Sequence, residues 1–241
     1  MTTEKITIDI DKVLKFFDEK GLGHSSAIIG LLGEDLGLGL IKHYHESRGA
    51  SVSILEGVPK EALRRGQQLD GWIKVTKDNQ TTFYQTEVKN WNSHSKGGKI
   101  LKLDCGNDEL REFAKDKFDK LWDGSINKFK AVEKDYVSKV IKKMVYPEGF
   151  DESRGDKILP LLCNWYAISS ELLPSPTPQS MPPAWSEVSC DYDFQTLCFF
   201  SMSIYLRELK NKKEKRITIY ASKVIKRMNI FFELISLPNQ L

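Results

Sequence analysis

The stretch QLDGWIKVTKDNQTTFYQTEVKNW, residues 68–91, decides the fold. Lys77-Asp78-Asn79-Gln80 is a hairpin turn signal, flanked by strand-forming Ile73 and Val75 on one side and Phe83 and Tyr84 on the other. A turn centred between Asp78 and Asn79 pairs Asp70 with Glu87, on one face, with Cβ atoms about 5 Å apart. Lys89, two residues beyond Glu87, projects from that same face. Two carboxylates opposed at that distance repel unless positive charge lies between them. A divalent cation together with the lysine would supply it.

Upstream, Gly30-Leu31-Leu32-Gly33-Glu34-Asp35-Leu36-Gly37 falls in an apolar, helix-like stretch from about Ser25 to His45, with Ser25 or Ser26 as N-cap. Its glycines cost roughly 1 kcal/mol each relative to alanine. Gly30 and Gly37 lie at i−4 and i+3 from Glu34, where small residues let a helix approach a sheet closely. Close packing without catalytic meaning, or a glycine-rich loop, are the plainer alternatives. Ala50-Ser51-Val52-Ser53-Ile54-Leu55 follows as a first strand.

The order of helical acid, strand, strand with Asp, then strand with Glu-x-Lys resembles the PD-(D/E)XK nuclease superfamily over roughly residues 20–95. Leu69 replaces the proline that precedes the Asp in that pattern. The resemblance implies an α/β fold: a restriction-endonuclease-like core with a mixed central sheet flanked by helices, here with a helical C-terminal extension. It also implies Mg²⁺ or Mn²⁺ on Asp70 and Glu87, with the Val88 carbonyl as a third ligand and Glu34 as the helical acid; Asp35 is the alternative. Hard oxygen ligands suit those ions. Lys89 would orient the water or stabilise developing charge. Gln85 is a candidate for holding the substrate backbone, with a half-buried structural glutamine as the plainer role. Asn90, Asn92, Ser93 and His94 form a polar cluster at the strand end, either phosphate-contacting or an ordinary loop. The competing reading of the hairpin is a solvated face of mixed charge.

Other chemistries find little support. His43 and His45 lie two apart, which does not place them on one helical face. Neither a GxGxxG nor a GxxxxGK[ST] loop occurs, and there is no HExxH helix or GxSxG elbow. Cys105, Cys163, Cys190 and Cys198 have no CxxC spacing, which speaks against zinc and for buried or partly buried thiols in a reducing compartment. No apolar run is long enough to span a membrane, and Met1-Thr2-Thr3-Glu4-Lys5 opens no signal peptide, so a cytoplasmic location is expected.

The net charge of +3 is distributed unevenly. Residues 207–227 carry nine Lys or Arg against Glu208 and Glu214, a local balance of +7. Lys212, Lys213, Lys215 and Arg216 are its candidate phosphate contacts, a solvated helix end being the alternative.

The 241 residues suffice for one sizeable core. The expected organisation is a core over 1–169 and, over 170–241, a proline-rich loop plus a basic and apolar helical extension packed on the same domain. Residues 8–19 predict an amphipathic helix, and Asp108–Trp122 and Asn127–Val145 two more. Ile158–Ile168 predicts a core strand, with Pro160 holding its first residues to an edge position. Pro174, Pro176, Pro178, Pro182 and Pro183 mark a loop from about Ser170 to Trp185, and Phe194–Leu209 predicts an apolar helix. Ile217–Tyr220 is a short strand or part of a longer helix.

The resemblance therefore implies a metal-dependent nuclease acting on DNA rather than RNA, in restriction, defence or repair. A homodimer suits duplex cleavage, since one such site cuts one strand, and an activating ligand or partner protein is compatible with the pattern. The alternative is a catalytically silent or partner-activated nucleic-acid-binding or assembly module of the same fold; a third reading is an α/β protein in which Glu-x-Lys is coincidental.

Overall fold

The protein is described by a computed structural model over residues 4–19, 22–55, 70–89, 105–123, 128–129, 146–166, 168, 180–190 and 195–234. The chain begins with strand β1 (Lys5–Asp9), helix α1 (Ile10–Glu19) and the long helix α2 (Leu22–Glu46). Strands β2 (Ser51–Leu55), β3 (Gly71–Lys77) and β4 (Gln80–Lys89) follow, then α3 (Asn107–Leu121) and the short pair β5 (Trp122–Asp123) and β6 (Lys128–Phe129). The remainder is β7 (Lys157–Asn164), β8 (Trp185–Ser189), β9 (Thr196–Ser201), α4 (Met202–Asn211), β10 (Arg216–Tyr220) and α5 (Ser222–Leu234).

Six strands form one mixed sheet in the order β2-β3-β4-β7-β9-β8. The first three are antiparallel, β4, β7 and β9 are parallel, and β8 closes the far edge antiparallel to β9. Asp78 and Asn79 both adopt positive φ, 50° and 63°, the backbone of a two-residue hairpin turn whose twist matches the strands. That turn fixes the register expected from sequence: Lys77 pairs with Gln80, and the ladder runs to Gly71 opposite Thr86.

Helix α2 covers the face carrying Gly71, Val88 and Cys163. A Cβ at Gly37 would lie 2.7 Å from Val88 Cγ1 and 3.1 Å from Cys163 Sγ, so glycine is what allows this approach. Helix α3 lies on the opposite face, with Phe118 edge-on to Phe199. Helix α1 buries Ile10, Leu14 and Phe17 at helical spacing, and Phe17 stacks on Trp165 beyond the end of β7. A separate ribbon of β1 and β10 pairs antiparallel and rests on α2, where Gly39 meets the Tyr220 carbonyl.

Several sequence expectations need correction. Phe194–Leu209 is not one helix but β9 followed by α4, with Ser201 capping the helix by accepting from the Ile204 N–H. Leu197, Cys198, Phe199 and Phe200 are all buried, and a continuous apolar run reads alike for a buried helix and an inner parallel strand. Helix α2 begins at Leu22, ahead of the expected Ser25 or Ser26 cap. The segment 170–241, expected as a loop plus helices packed on the same domain, also adds strands β8 and β9 to the sheet begun by β2–β4. Pro160 does behave as expected: Lys157–Pro160 pairs only with β4, and pairing with β9 starts at Leu161. Beyond Phe129, the helix expected to Val145 lies outside the described residues. Among the described residues no helix is long and apolar enough to cross a membrane.

Candidate active site

Strand β4 carries Glu87 and Lys89 to the end of the sheet on the face turned away from α2. Glu87 is 2% exposed, an expensive place for a carboxylate without partners. Lys89 supplies one, its ammonium ion-paired with Glu87 Oε1. Glu87 Oε2 is buried and has no hydrogen-bond partner among the described residues.

Asp70 immediately precedes β3, one step beyond the Gly71–Thr86 pair, which leaves it across from Glu87. Its Oδ2 accepts a 2.7 Å hydrogen bond from the Val88 N–H, where a continued ladder would have placed a main-chain carbonyl. Burial, and then the Glu87 charge, push the Asp70 carboxyl up to about 7, against the opposing pull of the Val88 hydrogen bond. The N–H and C=O of a strand residue leave on the same side, so the Val88 carbonyl also faces the Asp70 side.

The two neighbouring acids of α2 have different partners. Asp35 is buried and accepts from the Val224 N–H in the first turn of α5. Glu34 is half-buried and accepts from Lys223 Nζ at 2.9 Å, with Arg227 at 3.7 Å. Lys223 Nζ also donates to the Asp70 carbonyl at 2.9 Å. Of the two acids, Glu34 is thus the one tied to Asp70, through a lysine, while Asp35 anchors α5.

Lys223 and Arg227 escaped the sequence reading as site residues, although both belong to the basic segment. Their i, i+4 spacing on a helix was the available signal. The basic residues that were singled out lie elsewhere. Lys212, Lys213 and Lys215 occupy the turn between α4 and β10, and Arg216 is the first residue of β10. Strand β10 starts at Arg216 and reaches the Glu34 neighbourhood only after Tyr220, so the turn lies at the opposite end of the strand. Gln85 shares the Glu87 face and is fully buried, paired with Trp72 and Pro160 of the adjoining strands. Asn90, Ser93 and His94 lie outside the described residues.

Among the described residues, no three His, Cys, Asp or Glu side chains converge as a metal cluster. Two carboxylates do converge, one with an unpartnered buried oxygen, and that donor set fits a hard divalent cation completing its shell with water and main-chain oxygen. No family model matches the chain, and no curated protein or solved structure matches it either.

Proposed function

We propose that this chain is a metal-dependent nuclease of restriction-endonuclease-like architecture that hydrolyses phosphodiester bonds in DNA. The observation that carries the reading is the pairing of Asp70 with Glu87 at the end of a hairpin, with Lys89 in contact with Glu87. Coincidental surface charges would be solvated; this pair is buried, and burial plus mutual repulsion raise Asp70. A site that holds two like charges out of water is adapted to a cation.

Asp70, Glu87 and the Val88 carbonyl would hold Mg²⁺ or Mn²⁺, with Glu34 nearby. A bound ion would supply positive charge to the scissile phosphate and acidify water. Lys89 donates to the phosphate as negative charge develops on it, in a site whose low polarity strengthens that interaction. Glu34, Lys223 and Arg227 hold α5 beside Asp70 and keep the acid end of the hairpin in place. Two copies of the chain would cut both strands of a duplex.

A catalytically silent or partner-activated binding module has one observation in its favour. The Lys223 ammonium already bridges Glu34 and the Asp70 carbonyl, so the chain supplies a cation of its own there. Incubating purified protein with supercoiled plasmid and linear duplex, in Mg²⁺, Mn²⁺ or EDTA and beside Lys89→Ala, separates the two. Cutting that needs the divalent ion and vanishes in the variant supports the nuclease. Binding without cutting under every condition supports the module, and equal cutting by Lys89→Ala refutes the site.

A further inference from the structure

We propose that Lys223 takes the place of a second metal ion in this site, so that the chain binds one divalent cation and Glu34 is not among its ligands; the inference rests on the Asp70–Glu87 cation site of the reading above. Lys223 is the second residue of α5. Its Nζ donates to Glu34 Oε2 and to the Asp70 carbonyl, both at 2.9 Å. A carboxylate and a main-chain carbonyl are the hard oxygen donors that a divalent ion would take. Here a compact ammonium, a point charge with three N–H donors, engages both.

Main chain on either side of the lysine holds it there. Ala221 is fully buried, and its N–H donates to the Glu4 carbonyl at 2.9 Å, carrying the β1–β10 ribbon up to the start of α5. One residue earlier, the Tyr220 carbonyl meets Gly39 of α2 so closely that no Cβ would fit between them. On the other side of Lys223, the Val224 N–H donates to the buried Asp35 carboxylate. Glu34 and Asp35 of α2 thus meet Lys223 and Val224 of α5 in two adjacent contacts. A surface ion pair spends much of its energy on ordering two loose side chains. This one starts from a fixed backbone, and both side chains are only about a third exposed.

Ligand supply and charge lead to the same count. Paired metal ions sit about 3.5–4 Å apart and need carboxylates for both. Asp70 and Glu87 serve the first ion, and Asp35 is committed to Val224, which leaves Glu34 as the acid of α2 able to serve a second. Glu34 is already held by Lys223, with Arg227 at 3.7 Å from the same oxygen. Glu34, Asp70 and Glu87, all ionised, bring three negative charges, and Lys89, Lys223 and Arg227 bring three positive ones. One divalent ion added to this balanced set leaves two positive charges in excess, enough to attract a phosphodiester. A second would double that excess with no further acid to offset it, so it enters only where Lys223 leaves.

The test counts Mn²⁺ bound per chain, from the electron paramagnetic resonance signal of the free ion, for the full chain and for Lys223→Met, with circular dichroism to show that each is folded. The parent should saturate at one ion and Lys223→Met at two, because the variant releases Glu34 and the Asp70 carbonyl while keeping the length of the side chain. A lysine that merely fastens α5 to α2 would leave the count at one in both. Two ions on the parent, or any count other than two on folded Lys223→Met, would overturn the inference. Should Lys223→Met fail to fold, Lys223→Gln, which keeps a donor for the Asp70 carbonyl and removes the charge, is read by the same counts. A parent that binds no Mn²⁺ removes the cation site and this inference together, whereas two ions on the parent remove this inference alone.

Discussion

The Asp70 carboxylate accepts a 2.7 Å hydrogen bond from the main-chain N–H of Val88, taking the position that a further rung of the β3–β4 ladder would have filled. The hairpin therefore ends in a carboxylate pair rather than in main-chain pairing. The fixed register brings Asp70 across from Glu87, and the strand period adds Lys89 on the Glu87 face.

Stability should reveal the Asp70 environment. Its carboxyl titrates at about 7 in the folded protein, against an ordinary 3.8. The folded state thus holds the proton more tightly than the unfolded chain. The resulting stabilisation is complete below about pH 4 and is lost as pH rises through 7. Asp70→Asn retains the acceptor for the Val88 N–H and removes the titration. Thermal unfolding between pH 5 and 8 should show the variant gaining on the parent as pH rises, and Mg²⁺ at pH 8 should restore the parent selectively. A difference independent of pH would refute the raised carboxyl.

Glu34 and Asp35, adjacent in sequence, should fail differently. Asp35→Ala leaves the buried Val224 N–H without its acceptor and should cost about 1–3 kcal/mol in urea unfolding. Glu34→Ala removes half-exposed ion pairs, worth about 0–1 kcal/mol, yet should slow cleavage. The opposite ranking in the unfolding series would show that the two acids have been assigned the wrong way round.

The glycines of α2 should tolerate alanine poorly. At Gly37 the new Cβ would press into Val88 and Cys163, and at Gly39 it would overlap the Tyr220 carbonyl oxygen. Overpacking costs about 1–3 kcal/mol, against a helix-propensity gain of about 1 kcal/mol. Gly39→Ala should be the worse, since main chain yields less readily than a side chain. A stabilised Gly39→Ala in chemical denaturation would contradict the close packing of β10 on α2.

Much of the site was legible because its spacing is local. The Asp78-Asn79 turn, the period of two and the pair Asp70–Glu87 need only residues within one hairpin. The choice between Glu34 and Asp35 was not legible, because it depends on Val224 and Lys223, some 190 positions away in sequence. Strand β9 was misread for a related reason: Leu197–Phe200 is buried on both faces and so shows no alternation. Strand β1 overlaps the start of the helix expected from residue 8, and β8 begins where the proline-rich loop was expected to end, at Trp185. Each is a short edge strand whose pairing partner, β10 or β9, lies far along the chain or had itself been read as helix. The basic segment was visible as composition, but only the tertiary structure divides it into a distant turn and the Lys223–Arg227 face.

That division predicts two kinds of loss in DNA binding. Lys212→Glu with Lys215→Glu should weaken affinity and flatten its salt dependence, leaving kcat at saturating DNA unchanged. Arg227→Glu should lower kcat, because it disturbs Glu34. Filter binding across salt concentrations, combined with single-turnover cleavage, would separate the two, and a kcat loss from the turn variants would place that turn at the scissile phosphate.

The most direct test of the central claim, that Asp70 and Glu87 form a divalent-cation site, is calorimetric titration of Mn²⁺ into the parent and Glu87→Gln near pH 7. The parent should bind saturably and release protons as Asp70 ionises, and Glu87→Gln should bind far more weakly while remaining folded. Equal binding by the two proteins, or none by the parent, would contradict the account.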